Sequence, residues 1–196
     1  SASRALHYEV TMTIYDLKPA FQNLLRPLCR SLATAGVTAN QVTVSALLLS
    51  IFTGALVWLT SAANWTLYLI PVVLFVRMAL NAIDGMLARE FDMKTPLGAI
   101  LNEAGDVISD SVLYLPFAVI PGFSPILVFC IVILAILVEF IGVTAVQIGA
   151  ERRYDGPIGK SDRAFIFGLL ALLTGLGVPA GWWLHIVLSL VMLLLI

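Results

Sequence analysis

The chain has 196 residues, of which 60% are hydrophobic and only 12% are charged. A soluble domain of this length needs more polar surface to cover its core, so the composition excludes that class and indicates an integral membrane protein. The net charge of −1 gives no electrostatic basis for binding nucleic acid. Cys29 and Cys130 lie far apart without metal-ligand neighbours at short spacing, so both are predicted to be free thiols.

The first eleven residues differ from everything that follows them. Residues 12–15 read Met-Thr-Ile-Tyr, which is typical of a native start. We therefore interpret residues 1–11 as an added or disordered tail and residues 12–196 as one membrane-embedded domain. We expect no cleaved signal peptide, because the first apolar run begins only near Val42.

An amphipathic segment precedes that first apolar run. Its apolar residues recur at helical spacing, and they are Leu17, Phe21, Leu24, Leu25 and Leu28. The polar residues between them are Lys18, Gln22, Arg26 and Arg30. This pattern predicts an amphipathic helix that lies in the cytoplasmic membrane interface. The helix either anchors the domain or controls access of a substrate, and both interpretations stay open.

Six apolar segments are candidates for membrane-spanning helices, because about 20 apolar residues cross the hydrocarbon. They are residues 42–60, 67–88, 98–120, 126–150, 164–176 and 182–196. The connections between successive segments alternate between uncharged ones and ones that carry Lys and Arg. The positive-inside rule places the Lys- and Arg-bearing connections in the cytoplasm, and with six crossings both termini lie on that side. The four tryptophans fall at the uncharged ends, as expected of an interfacial aromatic belt. The sequence thus predicts an all-α integral membrane protein with six transmembrane helices after the amphipathic helix.

Polar side chains follow one face of the second and third predicted spans. On an ideal helix, one stripe of the second span carries Arg77, Asn81, Asp84 and Ala88, and one face of the third span carries Asn102, Asp106 and Asp110. A short loop joins these spans, so they are antiparallel neighbours and their polar ends face each other. Polar residues in a membrane span are costly and therefore mark sites. Oxygen ligands without His or Cys favour Mg²⁺ or Mn²⁺ over zinc.

Two glycines and an arginine accompany these oxygen ligands. Gly85 and Gly98 lack side chains where a backbone must come close to a ligand. Arg89 can meet the charge of a phosphate. Together with a metal ion, these residues indicate a diphosphate site near the cytoplasmic membrane boundary.

The spacing of these residues resembles the signature of the CDP-alcohol phosphotransferases, also called CDP-alcohol phosphatidyltransferases. The family pattern is D-x-x-D-G-x-x-A-R-x8-G-x-x-x-D-x-x-x-D. From Asp84 this chain reads Asp-Gly-x-x-Ala-Arg and, eight residues later, Gly98-x-x-x-Asn102-x-x-x-Asp106. The match in spacing is specific.

The resemblance extends from about Tyr15 to the end of the chain. Residues 36–43, Gly-Val-Thr-Ala-Asn-Gln-Val-Thr, are similar to the family's P-N-x-x-T segment, with Ala39 in place of proline. Glu139 and residues 159–163 lie where family members carry a glutamate and a G-K segment.

The resemblance implies a six-helix fold, usually dimeric, whose acidic residues hold two divalent ions, Mg²⁺ or Mn²⁺. It also implies transfer of a phosphatidyl-type group from a CDP-linked lipid to an alcohol, with release of CMP. Carried over by position, Asp84 is a metal ligand, and Asp106 is a metal ligand or the general base for the acceptor hydroxyl. The residues expected to border the cytidine diphosphate are Asn40, Thr43, Gly85, Ala88, Arg89 and Gly98.

Two of the family's aspartates are Asn81 and Asn102 in this chain. An amide oxygen can ligate a metal but brings no negative charge, so we expect weaker metal binding. Asp110, one turn beyond Asp106, and Glu103 are further candidates that would restore charge, although Glu103 points roughly 100° away from Asn102 on an ideal helix. Two hypotheses stay open: an active transferase, and a non-catalytic membrane protein that binds a lipid or nucleotide-lipid on the same scaffold.

Other charged residues flank the predicted site. Arg77 and Glu139 lie at comparable depth in two spans, and an unpaired charge in lipid is costly. We therefore predict a buried structural ion pair between them in preference to direct contact of Arg77 with a substrate. Arg153, Lys160 and Arg163 follow the fourth span. They either obey the positive-inside rule alone or bind the acceptor or a phosphate from a turn-forming loop, which favours a phosphate-bearing acceptor.

The expected partners are a CDP-lipid donor, CDP-diacylglycerol by preference, a small alcohol acceptor, membrane lipids and a second copy of the chain. The expected location is the cytoplasmic membrane of a bacterium or archaeon, with the active site facing the cytoplasm, in phospholipid biosynthesis. A solute transporter fits poorly, because no internal repeat is visible and the acidic residues cluster at one membrane edge.

Overall fold

A computed structural model describes residues 14–149 and 157–196, without the side chains of residues 14–18 and 147. The predicted tail, residues 1–11, and Arg153 lie outside the described residues. The described helices are α1 (Ile14–Thr34), α2 (Ala39–Leu59), α3 (Asn64–Leu67), α4 (Leu69–Glu90), α5 (Pro96–Tyr114), a 3-10 helix (Leu115–Val119), α6 (Pro125–Gln147), α7 (Lys160–Gly175) and α8 (Trp182–Leu194).

Each of the six predicted apolar segments corresponds to one of these helices, so the prediction of an all-helical chain is confirmed for the described residues. Three helical stretches there are long and apolar enough to span a membrane, namely Ala39–Leu59, Asn64–Glu90 and Pro125–Val146. The helices α7 and α8 are shorter, with 16 and 13 residues, and α5 carries three acidic residues. The count of six spans and the cytoplasmic placement of both termini stay predictions.

Local capping fixes where the helices that carry the site begin. The Thr38 hydroxyl accepts a hydrogen bond from the Gln41 N–H at 3.3 Å, and the Gln41 side chain accepts one from the Thr38 N–H at 2.9 Å. This capping box starts α2. Thr95 caps α5 by accepting a hydrogen bond from the Gly98 N–H at 2.8 Å, and Pro96 occupies the first turn.

Two helix boundaries differ from the predicted segments for local chemical reasons. The third segment was expected to be helical over 98–120, but α5 ends at Tyr114 and continues as the 3-10 helix that contains Pro116, which cannot donate a backbone hydrogen bond. The fifth predicted segment was expected to begin at residue 164, but the corresponding helix, α7, begins at Lys160. The Asp162 carboxylate accepts a hydrogen bond from the Gly159 N–H at 2.8 Å and so stabilises this earlier start.

The amphipathic segment forms α1, which packs against α4. The rings of Phe21 and Phe75 meet edge to face with centroids 6.2 Å apart, and Arg26 pairs with Glu90 at 3.0 Å. Leu24 is 75% exposed, as expected of an apolar face that meets lipid. The predicted helix is therefore present, and it is joined to the end of α4 that carries the signature residues.

The large apolar core lies between α4, α5, α6, α7 and α8. The Tyr114 ring stacks on Phe167 with centroids 4.2 Å apart, and Phe117 meets Phe167 edge to face at 5.0 Å. A smaller cluster joins α1 to α2 and α4 around Cys29 and Met86. The small cluster lies beside the signature residues, whereas the large one extends away from them.

Close packing of α2 on α5 depends on Gly54. A Cβ atom at this position would overlap the backbone carbonyl of Val112. Because backbone atoms cannot move aside as a flexible side chain can, any larger residue must push the two helices apart. These two helices carry Thr43 and Asp106, so their separation also sets the width of the site.

We predict that Gly54→Ala lowers the free energy of unfolding by about 1–3 kcal/mol or more, the usual cost of overpacking a helix contact. The measurement is the midpoint of thermal unfolding in detergent. Gly142→Ala is the matched control, because a Cβ at position 142 of α6 meets no atom within 4 Å. Equal midpoints for the two variants would contradict the close approach.

Candidate active site

The buried carboxylate of Asp84 joins α4 to α2. Asp84 is 5% exposed, and its Oδ2 accepts a hydrogen bond from the Thr43 hydroxyl at 2.8 Å. The capping box at Thr38 sets the start of α2 and thereby the position of Thr43 one turn into the helix. The structure thus brings a predicted metal ligand and a predicted nucleotide-binding residue into direct contact.

The Asp106 carboxylate on α5 is surrounded by hydrogen-bond donors. Its Oδ1 accepts from the amide Nδ2 of Asn81 at 2.9 Å and from Arg77 Nη2 at 3.2 Å. The ammonium group of Lys160 forms an ion pair with the same oxygen. The side chain of Asp106 remains 22% exposed. The predicted catalytic residue therefore faces two cations and one amide donor.

A second group of predicted residues meets at the start of α5. Asn40 donates from Nδ2 to the Thr95 hydroxyl at 3.3 Å. A Cβ at position 98 would lie 2.5 Å from Asn40 Oδ1, so Gly98 permits this approach of α2 to α5. Thr95 was not identified from the sequence, although its place before Pro96 and three residues before Gly98 is typical of an N-cap.

The remaining signature residues lie in the last turns of α4. A Cβ at position 85 would lie 2.9 Å from Arg89 Nη2, so Gly85 leaves room for the exposed guanidinium of Arg89 to fold over the helix. Ala88 is half-buried beside them. On α5, the half-buried Asn102 lies one turn before Asp106. The small side chains here leave the backbone open to a ligand, and the exposed guanidinium of Arg89 lies beside it.

The structure corrects the predicted ion pair between Arg77 and Glu139. Arg77 pairs with Asp110 at 2.5 Å and with Asp106, whereas Glu139 pairs with Arg163 at 2.9 Å. Arg77 finds its carboxylates on α5, the next helix along the chain. Glu139 finds Arg163 because the early start of α7 moves this arginine from the expected loop into a buried helical turn.

Two further predicted site residues belong to the same buried network. Asp110 was expected to ligate a metal, but its two oxygens contact Arg77 and, at 3.4 Å, Arg163. Arg163 was expected to bind the acceptor or a phosphate, but it is 1% exposed and faces two carboxylates. Asp110 and Arg163 are therefore structural in this arrangement.

The donor set does not fit the two divalent ions that the family signature implies. In the part of the chain that the structure describes, no three His, Cys, Asp or Glu side chains lie together as a metal cluster. Two of the four signature positions are amides, and Asp106 already contacts Arg77 and Lys160. A divalent ion about 4 Å from one such cation is repelled by about 8 kcal/mol at an effective dielectric constant of 20.

An apolar groove between α4 and α7 leads to Asp106. Its volume is about 480 Å³, and Arg77, Asn81 and Lys160, the three residues that contact Asp106, line its polar end. The rest is largely apolar and includes Phe75 and Leu172. Such a groove accommodates a ligand with an anionic head and a long apolar tail, with the head beside the carboxylate.

Comparisons with known proteins agree with these features. The sequence pattern of the family described as CDP-alcohol phosphatidyltransferase matches residues 36–195. The chain is 56% identical to the inner membrane protein YnbA of Escherichia coli over 162 residues, which cover 82% of this chain and 80% of that protein. It is 32% identical to archaetidylinositol phosphate synthase of Aeropyrum pernix over 111 residues, 54% of this chain and 57% of that protein.

A solved structure shares the fold. The phosphatidylinositol phosphate synthase of Mycobacterium tuberculosis, crystallised with CDP-DAG bound, superposes with a TM-score of 0.71 over 86% of each chain, at 21% sequence identity. Together with the three apolar helices of spanning length, these similarities identify the chain as an integral membrane protein.

We predict that Asp110→Asn strongly destabilises the fold, because it leaves the buried Arg77 and Arg163 without their shared carboxylate. Breaking a buried ion pair in this way costs about 3–5 kcal/mol. The measurement is the thermal unfolding midpoint in detergent. The control is Glu90→Gln, which removes the exposed partner of Arg26 and should leave the midpoint unchanged. A wild-type midpoint for Asp110→Asn would show that the network does not hold the helices together.

Proposed function

The chain belongs to the CDP-alcohol phosphatidyltransferase family, and from that premise we propose that it transfers a phosphatidyl-type group from CDP-diacylglycerol to an alcohol and releases CMP. The observation that carries this proposal is the meeting of Asp106, Lys160 and the apolar groove. A group-transfer site for a lipid donor needs a base, a phosphate-binding cation and a path for an acyl chain at one place. These three features meet at Asp106.

The cytidine diphosphate of the donor would lie over the ends of α2, α4 and α5. The residues proposed to border it are Asn40, Thr43, Gly85, Ala88, Arg89 and Gly98. Gly85 and Gly98 support this placement, because a Cβ at either position would fill space beside a polar side chain. The Arg89 guanidinium can pair with diphosphate oxygens in a charge-assisted hydrogen bond.

The groove between α4 and α7 would hold an acyl chain of the donor. Its apolar walls are made by residues such as Met78 and Phe165, which are 48% and 71% exposed. Exposed apolar walls are stable when lipid is the solvent. When the acyl chain of the donor takes the place of a membrane lipid in the groove, one apolar contact replaces another at little cost in free energy. The diphosphate then enters the site from the membrane side.

Transfer requires an attack of the acceptor hydroxyl on the lipid-linked phosphorus. Asp106 would take the hydroxyl proton, the acceptor oxygen would form a bond to that phosphorus, and the bond to the leaving CMP would break. Lys160 would turn from Asp106 to the phosphate oxygens and stabilise their negative charge. Asn81 and Arg77 would keep the Asp106 carboxylate in place through their contacts with Oδ1.

The proposed acceptor is a small alcohol, and the cation at Lys160 favours one that carries a phosphate. The A. pernix relative is named for a product that contains inositol phosphate, so inositol phosphate belongs in any panel of acceptors. We also propose that the site faces the cytoplasm of a bacterial or archaeal cell, that the chain crosses its cytoplasmic membrane six times, and that it acts in phospholipid biosynthesis as a homodimer.

A second candidate function is non-catalytic binding of a CDP-lipid on the same scaffold. The observation in its favour is the replacement of two signature aspartates by Asn81 and Asn102. Such a protein would bind CDP-diacylglycerol without releasing CMP, so one assay distinguishes the two functions.

We predict that the purified protein releases CMP from CDP-diacylglycerol with one acceptor of a panel containing glycerol phosphate, inositol phosphate and serine. Asp106→Asn should lower this release to background, because the base is lost. Its thermal unfolding midpoint should stay close to that of the wild type, because the side-chain volume is kept. Asp92→Asn, at an exposed loop position, is the matched control and should retain activity. Near-wild-type release by Asp106→Asn would overturn the role of Asp106. Binding of CDP-diacylglycerol without release would favour the second function.

We predict that Met78→Trp raises the KM for CDP-diacylglycerol by about tenfold, equivalent to about 1.4 kcal/mol of lost lipid contact, because the larger ring narrows the groove. The KM for the acceptor should stay constant. Phe129→Trp is the control, since Phe129 on α6 is similarly exposed, at 46%, and does not line the groove. Equal effects of both substitutions would argue against an acyl chain in this groove.

A further inference from the structure

The interface of α5 with α6 and α7 contains two buried polar atoms that the chain itself does not satisfy. In the part of the chain that the structure describes, these atoms are the hydroxyl oxygen of Tyr114 and Nε of Arg163, and neither has a hydrogen-bond partner. Tyr114 is 0% exposed and Arg163 is 1% exposed. A buried hydroxyl or guanidinium N–H without a partner is costly, and native structures pair the great majority of such groups. These two atoms therefore indicate a bound partner between the helices.

Both residues line one small cavity. Its volume is about 10 Å³, and Val132 and Ala135 of α6 form part of its apolar wall. One water molecule needs a cavity of about 10–15 Å³, so the space suits one water and nothing larger. Among the described residues, none lines both this cavity and the groove between α4 and α7. The cavity is therefore separate from the proposed lipid site.

The polar groups of the cavity wall complement a water molecule. Nε of Arg163 can only donate a hydrogen bond, and the Tyr114 hydroxyl can donate as well. A water oxygen offers one lone pair to each donor. Its two hydrogens then meet acceptors in the same wall, namely the Glu139 carboxylate and the Ser111 hydroxyl oxygen. Ser111 donates its own hydrogen to the Val107 carbonyl oxygen at 2.8 Å, so its oxygen can accept.

The charges around the cavity exclude an ion as its occupant. A cation would lie against the guanidinium of Arg163. An anion would lie against the carboxylates of Asp110 and Glu139, which line the same space. At close range in the protein interior, either repulsion is strong. A small neutral molecule that both donates and accepts hydrogen bonds avoids both.

We propose that one water molecule is bound in this cavity and accepts hydrogen bonds from the Tyr114 hydroxyl and from Nε of Arg163. Nη2 of Arg163 pairs with Glu139 at 2.9 Å and with Asp110 at 3.4 Å. The water holds another edge of the guanidinium and thereby fixes its orientation towards both carboxylates. The stack of Tyr114 on Phe167 keeps the hydroxyl at the cavity. The water thus joins α5, α6 and α7, whether or not the chain is a transferase.

Removal of the Tyr114 hydroxyl distinguishes a satisfied atom from an unsatisfied one. With the water in place, Tyr114→Phe removes a buried hydrogen bond and lowers the thermal unfolding midpoint in detergent by about 2–4 °C. If the hydroxyl has no partner, its removal relieves an unsatisfied group, and the midpoint stays constant or rises. Tyr68→Phe is the matched control with a known loss, because the Tyr68 hydroxyl donates to the Gly175 carbonyl oxygen at 2.6 Å. An unchanged or higher midpoint for Tyr114→Phe would overturn the inference.

A crystal structure of the full-length wild-type protein, at a resolution that shows ordered waters, tests the occupant directly. We expect one water oxygen within hydrogen-bond distance of the Tyr114 hydroxyl and of Nε of Arg163. A cavity without water density would overturn the inference. A direct hydrogen bond from Nε to the Tyr114 oxygen would also overturn it, and this result separates the two explanations of a lowered midpoint. The observation needs no variant, so it decides the matter even if Tyr114→Phe does not fold.

Discussion

The helices around the site depend on one buried carboxylate, Asp110. Its two oxygens contact Arg77 of α4 and Arg163 of α7, and Arg163 also contacts Glu139 of α6. Four helices are thereby joined through charges that neither lipid nor water can satisfy. In a membrane, where apolar packing alone gives little preference for one neighbour over another, such contacts choose the partner of each helix. Removing one member leaves the others as buried charges without partners, so the network acts as a unit.

The site lies one helical turn from this network. Asp106 precedes Asp110 on the same face of α5, and Arg77 contacts both residues. The arginine therefore ties the structural network to the carboxylate proposed to act as the base. Lys160 is connected in the same way, because it begins α7 one turn before Arg163. Any movement of α7 that carries Lys160 towards a bound phosphate must be accommodated by the Arg163 contacts. The proposed reaction therefore has a rigid frame on one side and the half-buried Lys160 on the other.

The departures from the family signature are chemically consistent with one another. Asparagine at position 81 would weaken a metal site, yet here its amide donates to Asp106 beside two cations of the chain. The loss of carboxylates and the presence of protein cations compensate each other.

The sequence by itself determined the helical class, the positions of all six apolar helices and the family, because apolar run length and the spacing of signature residues are local properties of the chain. The family resemblance also predicted Asn40, Thr43 and Gly98 as nucleotide-binding residues beside the metal ligand Asp84, and in the structure Thr43 contacts Asp84 and Asn40 lies beside Gly98. Only the tertiary structure decided which charges pair. Arg77 was matched with Glu139 from similar depth alone, but pairing depends on helix rotation and on which helices are neighbours. Sequence spacing does not encode helix rotation or the choice of neighbouring helices. The capping of α7 by Asp162 also starts this helix earlier, so Arg163 lies in a buried turn and pairs with Glu139.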